Sequence, residues 1–275
     1  MTPSIAFIGV GNMARAIFSG MLASGYPADK IIGTSRTPEK RDYYHVQYGI
    51  AMLADNDSAV SQADVVVLCV KPAQMQAVVE NFSSHVREDQ LFISVAAGIE
   101  LDSLAYWLDK PVAVVRSMPN TPSQIGAGMT GLIANEHTNE EQKNWVSELF
   151  SSIGNSVWVE NEVHMHTVTS LSGSAPAYFF RFIEAMVKNA KEQGLDEETS
   201  RELASNAMFG AARMVMELDE PIEQLRRNIT SPKGTTEQAL LSFEAADIDK
   251  IVADAMIACV NRSKEMAADF AAKKD

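Results

Sequence analysis

Short apolar runs alternate with amphipathic stretches through the first part of the chain. The apolar runs predict β-strands at residues 5–8, 30–33, 65–70, 91–95, 112–116, 129–133 and 156–159. Helical spacing between several of them predicts helices at residues 17–22, 72–82, 101–108 and 139–153. This alternation predicts a largely parallel sheet with crossover helices. The last two strands follow a stretch rich in Pro and Gly, so we expect the sheet to end with some antiparallel pairing.

The pattern changes near residue 160. No convincing strand pattern follows, and helical spacing runs from 164 to 193, with an interruption at 172–176, and again from 248 to 270. The sequence therefore predicts an α/β Rossmann-type N-terminal domain at residues 1–160. An all-α C-terminal dimerisation domain is expected at residues 161–275.

One predicted helix of the second domain, which follows an N-cap at Asp196, carries small residues on one face. Ala204, Ala207, Gly210 and Ala211 would let another helix approach closely. A helical layer that covers no sheet needs a partner, so we expect a homodimer or a higher homo-oligomer through this domain. Ordinary core packing would also explain these small residues.

A glycine-rich turn follows the first predicted strand and precedes a helix. It reads Gly9-Val10-Gly11-Asn12-Met13-Ala14, which is a G-x-G-x-x-A form of the dinucleotide-binding fingerprint. Gly9 allows the tight turn, Gly11 lets the backbone approach a pyrophosphate, and Ala14 keeps the helix close to the sheet. We predict that Gly9, Gly11, Asn12 and Met13 contact a dinucleotide.

The end of the second predicted strand indicates which dinucleotide is bound. An NAD site usually places Asp or Glu there for the ribose 2′-hydroxyl. This chain instead has Thr34-Ser35-Arg36-Thr37, with Lys40 a turn further on. Hydroxyls and a guanidinium suit a 2′-phosphate, so NADPH is predicted to be preferred over NADH. The alternative is that Arg36 is a solvated loop arginine.

Charge and cysteine content narrow the class of protein. The 275 residues have a formal net charge of -13, which argues against nucleic-acid binding but leaves small anionic ligands open. Cys69 and Cys259 lie in apolar runs without metal-ligand spacing, so we expect buried, reduced thiols and no metal. No secretory signal or membrane-length apolar run is recognised, so a cytoplasmic protein is expected. His164 and His166 stand without metal-ligand partners, and we expect a surface or interdomain role for them.

A second candidate site lies in the helical half. Pro232 and Gly234 predict a turn, and the apolar pairs after Thr236 predict the start of a helix there. Unpaired N–H groups, two threonine hydroxyls and the helix dipole at one point suit a small carboxylate. The alternative is a threonine that simply caps the helix after a turn.

Taken together, these motifs resemble the pyrroline-5-carboxylate reductase family along essentially the whole chain. Besides the fingerprint and the turn of the helical half, which is similar to the family's Ser-Pro-Gly-Gly-Thr-Thr signature, three blocks carry the resemblance: Val70-Lys71-Pro72, Met118-Pro119-Asn120-Thr121-Pro122 and Ser172-Gly173-Ser174-Ala175-Pro176-Ala177-Tyr178. The resemblance implies NAD(P)H-dependent reduction of Δ1-pyrroline-5-carboxylate to L-proline, the last step of proline biosynthesis. Such an enzyme is an oxidoreductase acting on CH–NH donors.

The resemblance also implies roles for individual residues. Ser35 and Asn56 would contact the adenosine end of the cofactor, and the segments Val70-Lys71-Pro72 and Met118-Pro119-Asn120 would flank its ribose and nicotinamide. Ser231, Gly234, Thr235 and Thr236 would hold the substrate, with Thr236, the predicted catalytic residue, nearest the imine nitrogen. Family members form interlocked dimers, so the site would draw residues from two chains.

Three positions depart from the family pattern: Lys233 and Ala175 stand where glycine is usual, and Glu237 where an apolar residue is usual. None removes a group that the chemistry needs. Related hydroxyacid dehydrogenases use a lysine base on the helix that opens the second domain, and residues 174–181 contain none, which favours imine over alcohol chemistry. The alternatives are a reductase of a related cyclic imine and a non-catalytic NADP-binding sensor.

Overall fold

The computed structural model describes residues 2–272, and contacts divide these residues into two compact units. The first unit contains the described residues up to Ser174 together with those from Ala258 onward. The second unit is Ala175–Ile257. The domain boundary predicted at residues 160/161 lies before the start of the second unit at Ala175, and it stays a prediction.

The first unit is built around a sheet that has eight strands within the described residues. The strands are β1 Ile5–Ile8, β2 Ile31–Thr34, β3 Ala51–Leu53, β4 Val65–Leu68, β5 Leu91–Ser94, β6 Ala113–Met118, β7 Gly128–Ala134 and β8 Gly154–Trp158. Their order is β3-β2-β1-β4-β5-β6-β7-β8. Neighbouring strands are parallel except β6 and β7, which confirms the expected antiparallel pairing near the end of the sheet. The short strand β3 has no counterpart among the predicted strands.

Helices surround this sheet: α1 Asn12–Ala23, α2 Pro38–Tyr48, α3 Asn56–Gln62, α4 Pro72–Phe82, α5 Leu101–Leu108, α6 Glu140–Ser151 and α7 His164–Val168. Residues of β1 alternate between two apolar clusters, with Ile5 and Phe7 in one and Ala6 and Ile8 in the other. This alternation follows from the two-residue period of a strand. Both faces of the sheet are therefore buried, as expected for a Rossmann-type fold.

A buried polar network ties the last helix to the sheet of the first unit. The Arg116 guanidinium donates to a carboxylate oxygen of Glu162 at 2.8 Å. Nδ1 of His166 lies 2.9 Å from the Ser263 hydroxyl, and its Nε2 lies 3.7 Å from the Glu100 carboxylate. Burial, reinforced by the positive charge of Arg116, lowers the pKa of His166. Burial, with the nearby charge of Glu162, raises the pKa of Glu100.

Two expectations about single side chains need correction. His166 is only 5% exposed, so the surface role expected for it is wrong. Its partners Glu100 and Ser263 lie in the same compact unit but on either side of the predicted boundary at 160/161, so the interdomain role stays a prediction. His164 is exposed. Both cysteines are free but only partly buried, because Cys69 follows β4 at the edge of a cleft and Cys259 lies on a partly covered helix.

The second unit is helical, as predicted. It contains α8 Ala175–Glu192, α9 Glu197–Glu217, α10 Ile222–Asn228, α11 Thr235–Ala245 and the first part of α12 Ile248–Asp269. Asp196 caps α9 by accepting a hydrogen bond from the backbone N–H of Thr199. Long apolar side chains on α8 and α9 remain exposed, including Phe179, Phe209 and Met216. Within residues 2–272, no helix combines the length and the apolar character needed to cross a membrane.

Candidate functional site

The glycine turn between β1 and α1 adopts the geometry that its sequence predicts. Gly9 has φ +86°, and a Cβ there would lie 2.8 Å from Val70 Cγ1. Its N–H donates to the hydroxyl of Thr34 at 3.0 Å, and this hydroxyl also donates to the Phe7 carbonyl at 3.4 Å. Thr34 is 2% exposed, and these two bonds use its hydroxyl to organise the turn. Thr34 also lines the cleft described below, and contact of its hydroxyl with a ligand phosphate stays a prediction.

The N-terminus of α1 is open to an anion. Gly11 is the N-cap of this helix, and no side chain caps the first-turn N–H groups. A Cβ built on Gly11 would have nothing within 4 Å. Free N–H groups, the helix dipole and open space form the arrangement that holds a pyrophosphate in dinucleotide sites.

A cleft of about 650 Å³ lies at the carboxyl ends of the strands beside this turn. Of the residues predicted to bind the cofactor, the cleft is lined by Gly9, Gly11, Ser35, Arg36, Asn56, Val70 and Lys71. It is also lined by residues of α4 that the sequence analysis missed, namely Ala73, Gln74, Ala77, Val78 and Asn81. A signal for them existed, because small and polar residues recur at helical spacing on a helix that directly follows a strand.

The rim of the cleft after β2 is positively charged. Arg36 and Lys40 are exposed there, whereas the guanidinium of Arg41 donates to the Ser35 carbonyl at 2.8 Å. Arg41 therefore shapes the loop, while Arg36 and Lys40 are available to a phosphate.

The opposite side of this rim is set by the start of α3. Asp55 caps that helix by accepting the N–H groups of Asp57 and Ser58, and Asn56 is the first helical residue. The hydrogen bonds from Ser58 hold the pKa of Asp55 below its usual value, so it remains a carboxylate cap at neutral pH.

Five residues predicted to bind the cofactor do not line the cleft: Asn12, Met13, Pro72, Met118 and Asn120. Asn120 is 7% exposed, and both Nδ2 and Oδ1 of its side-chain amide form hydrogen bonds with backbone groups. Its Nδ2 donates to the Ser172 carbonyl at 3.0 Å, and its Oδ1 accepts the Met129 N–H at 2.9 Å. It thereby joins the end of β6 to a π-helical turn at Thr169–Gly173. Contact of these five residues with a cofactor stays a prediction.

The candidate substrate segment lies in the second unit. A turn from Ser231 to Gly234 is closed by a hydrogen bond from the Gly234 N–H to the Ser231 carbonyl at 2.9 Å. Gly234 is the N-cap of α11 and has no side-chain cap, so Thr235 and Thr236 are the first two helical residues. The alternative of a threonine N-cap is therefore wrong. A Cβ on Gly234 would lie 2.9 Å from the Ser231 carbonyl oxygen, so the turn requires glycine there.

The two candidate sites suit different ligands. The cleft of the first unit combines an uncapped helix start with a cationic rim, which fits a dinucleotide that carries an additional phosphate. The start of α11 offers N–H groups and two hydroxyls, which fits a small carboxylate. Among the described residues there is no group of three or more His, Cys, Asp or Glu that could hold a metal ion.

Comparisons with known proteins cover both halves of the chain. A family model described as NADP oxidoreductase, coenzyme F420-dependent, matches residues 4–98, and one described as pyrroline-5-carboxylate reductase dimerisation matches residues 162–266. The chain is 43% identical to pyrroline-5-carboxylate reductase of Haemophilus influenzae over 263 residues, covering 95% of this chain and 97% of that protein. It is 45% identical to the enzyme of Vibrio alginolyticus over 263 residues, with the same shares covered.

Solved structures agree with these relatives. A pyrroline-5-carboxylate reductase from Coxiella burnetii is 41% identical, with a TM-score of 0.92 over 97% of this chain and 99% of that one. The structure of Plasmodium falciparum pyrroline carboxylate reductase with NADP bound is 27% identical, with a TM-score of 0.87 over 96% of this chain and 98% of that one.

Proposed function

The chain belongs to the pyrroline-5-carboxylate reductase family, and from that premise we propose how its residues perform the reaction. It is a proline-biosynthetic oxidoreductase that reduces Δ1-pyrroline-5-carboxylate to L-proline with a nicotinamide cofactor. The proposal concerns the finer points: the preferred cofactor, the residues that bind cofactor and substrate, the role of Thr236, the oligomer and the compartment.

The cofactor proposed is NADPH in preference to NADH. The pyrophosphate binds at the uncapped start of α1 beside Gly9 and Gly11. Ser35 and Asn56 contact the adenosine ribose, and Arg36 pairs with the 2′-phosphate. The exposed guanidinium at the rim of the cleft supports this assignment, since a planar fork of donors binds a phosphate well.

The substrate carboxylate is proposed to bind at the start of α11. The unpaired backbone N–H groups of Thr235 and Thr236 donate to it, assisted by Gly234 and the Ser231 hydroxyl. The uncapped helix start is the observation that carries this proposal, because such N–H groups need an acceptor and attract an anion.

Orientation supplies most of the catalysis in this proposal. Bound NADPH supplies a hydride to the imine carbon. A cyclic imine is basic enough to arrive protonated, so the protein needs no strong acid. The Thr236 hydroxyl lies at the imine nitrogen and fixes which face of the ring is presented, while the helix start holds the carboxylate.

The second unit is proposed to form a homodimer, or a higher homo-oligomer built on it. An apolar groove between α8 and α9 is lined by Phe179, Phe182, Met186 and Met208 among others. Exposed apolar surface of this kind is typical of a protein–protein interface. The match of this region to a family dimerisation model supports a second copy as its partner.

A cytoplasmic location is proposed on the redox state of the thiols. Cys69 and Cys259 are both free, with no disulfide between them. Reduced cysteines are usual where glutathione and thioredoxin keep thiols reduced. Fractionation of cells that express the protein, followed by detection in the soluble cytoplasmic fraction, tests this location.

The test is a steady-state assay of NADPH consumption with pyrroline-5-carboxylate, run in parallel with the six-membered cyclic imine. Thr236→Ala is expected to lower kcat/KM by about 10- to 150-fold, since a hydrogen bond to a charged group contributes about 1.5–3 kcal/mol. Thr236→Ser keeps the hydroxyl and serves as the matched control. Unchanged turnover in Thr236→Ala would remove the role proposed for this hydroxyl.

A further inference from the structure

We propose that Glu237 is a positioning residue that sets the shape of the turn Ser231–Gly234 and thereby the affinity for the substrate carboxylate. The inference rests on the proposed role of this turn in binding the substrate. It assigns a function to a residue that neither the sequence motifs nor the proposed mechanism uses.

The turn contains a lysine in a conformation that favours glycine. Lys233 has φ +59°, which is the left-handed region. An L-residue with a Cβ is disfavoured there, and glycine is not. The turn ends at Gly234, whose N–H is already used to close it on the Ser231 carbonyl. The backbone N–H of Lys233 is therefore a further donor at the entry to α11, besides those of Thr235 and Thr236.

Glu237 satisfies that donor. Its carboxylate oxygen Oε2 accepts the Lys233 N–H at 2.7 Å. Glu237 is the third residue of α11, the position from which a capping-box side chain reaches back to the residue before a helix. Here it reaches one residue further back, because the Gly234 N–H is occupied. This short, charge-assisted bond holds Lys233 in the left-handed conformation.

The bond explains two departures from the family pattern as a pair. A glycine at position 233 would adopt the turn without help, and an apolar residue at position 237 would then be adequate. A lysine there needs an acceptor that fixes its backbone, and Glu237 provides one. The turn in this chain thus depends on a side chain four residues away.

The charge of Glu237 and its hydrogen bond have opposite expected effects on substrate binding, so the two can be tested separately. A carboxylate in the first turn of α11 repels a bound carboxylate, so removing the charge alone would strengthen substrate binding. Removing the hydrogen bond as well would loosen the turn and weaken binding. Glu237→Gln keeps an acceptor oxygen and loses the charge, whereas Glu237→Ala loses both.

The experiment compares KM for pyrroline-5-carboxylate, KM for NADPH and kcat in these variants. Glu237→Ala is expected to raise KM for the imine by about three- to tenfold, which is below the range for a hydrogen bond to a charged group because the turn is largely exposed. KM for NADPH should stay unchanged. Glu237→Gln should have a KM for the imine no higher than that of the unmodified enzyme.

The same Glu237→Ala substitution is also made in a Lys233→Gly variant. Because glycine needs no clamp, adding Glu237→Ala to Lys233→Gly should raise KM for the imine by less than about twofold. The matched control is Glu244→Ala, which removes an equal charge from an exposed position of the same helix. It should leave all three constants unchanged.

Two results would overturn the inference. One is a fall in KM for the imine in both Glu237→Ala and Glu237→Gln, which would mean that only charge matters. The other is an equal effect of Glu237→Ala with and without Lys233→Gly. Thr236→Ala tests the proposed function separately: if that variant leaves KM and kcat unchanged, the role proposed for its hydroxyl is wrong, whatever the Glu237 variants show. Thermal unfolding of each variant establishes that it is folded.

Discussion

Replacing Arg36 by alanine is expected to weaken NADPH without weakening NADH. Arg36 is exposed at the rim of the cleft, and none of the ion pairs between described residues uses its guanidinium. Arg41 cannot replace it without losing the 2.8 Å hydrogen bond that it donates to the Ser35 carbonyl. The charge of Arg36 is therefore free to act on a 2′-phosphate.

The magnitude follows from exposure and geometry. Two unit charges 4 Å apart attract by about 1 kcal/mol in water and by about 4 kcal/mol at an effective dielectric constant of 20. A guanidinium that also donates hydrogen bonds to an exposed phosphate lies between these limits, at about 1.5–3 kcal/mol. This corresponds to a rise of about 10- to 150-fold in KM for NADPH. Lys40 lines the same rim and should preserve part of the preference.

The assay measures kcat/KM for NADPH and for NADH at saturating imine, at low and at high ionic strength. The loss with NADPH should shrink at high salt, because exposed charges are screened. Lys110→Ala is the control, since it removes an exposed positive charge before the amino end of β6, whereas the cleft lies at the carboxyl ends of the strands. An equal loss with both cofactors, or an unchanged ratio, would refute the assignment of Arg36 to the 2′-phosphate.

Two further predictions concern buried groups of the first unit. Thr34→Val leaves the partly buried Gly9 N–H without its 3.0 Å acceptor, so KM should rise for both cofactors and urea unfolding should show a loss of about 1–3 kcal/mol. Thr34→Ser should retain both values, and full stability in Thr34→Val would show that this bond does not hold the turn. Burial lowers the pKa of His166 in the folded protein below the usual histidine value of 6.5, so the unfolded chain binds the proton more readily. Stability should therefore fall as pH drops below about 6.5. The free energy of unfolding in urea, measured between about pH 8 and pH 5.5, should depend less on pH in His166→Gln. The raised pKa of Glu100 increases stability as the pH falls, and it does so in both proteins. An identical pH dependence in both proteins would contradict the role of His166.

Much of the fold was predictable because its signals are local. Strands such as β1 and β4 are continuous apolar runs, and the helices between strands show their period within one or two turns. The strand β3 was missed because Ala51–Leu53 is only three residues long and only partly covered at the sheet edge, so its apolar run is too short to indicate a strand. Its place is fixed by pairing with β2, which a local pattern does not contain.

The candidate site was predictable to the extent that its groups belong to motifs. The glycine turn and the start of α11 are each contiguous, so the sequence showed both. It did not show that Asn120 spends its amide on the backbone of Ser172 and Met129, since a residue type gives no partner. The clamp between Glu237 and Lys233 was equally hidden: the two departures were visible, but the bond between them was not.

The sequence by itself determined the alternation of strands and helices followed by an all-helical region, the dinucleotide fingerprint, the family and the segments that carry its chemistry. Only the tertiary structure decided which polar groups are already satisfied: Thr34 with Gly9, and His166 with Ser263, which is 97 residues away. The physical reason is that periodicity and turn chemistry act over a few residues, whereas burial and hydrogen-bond partners depend on segments that meet only when the chain folds.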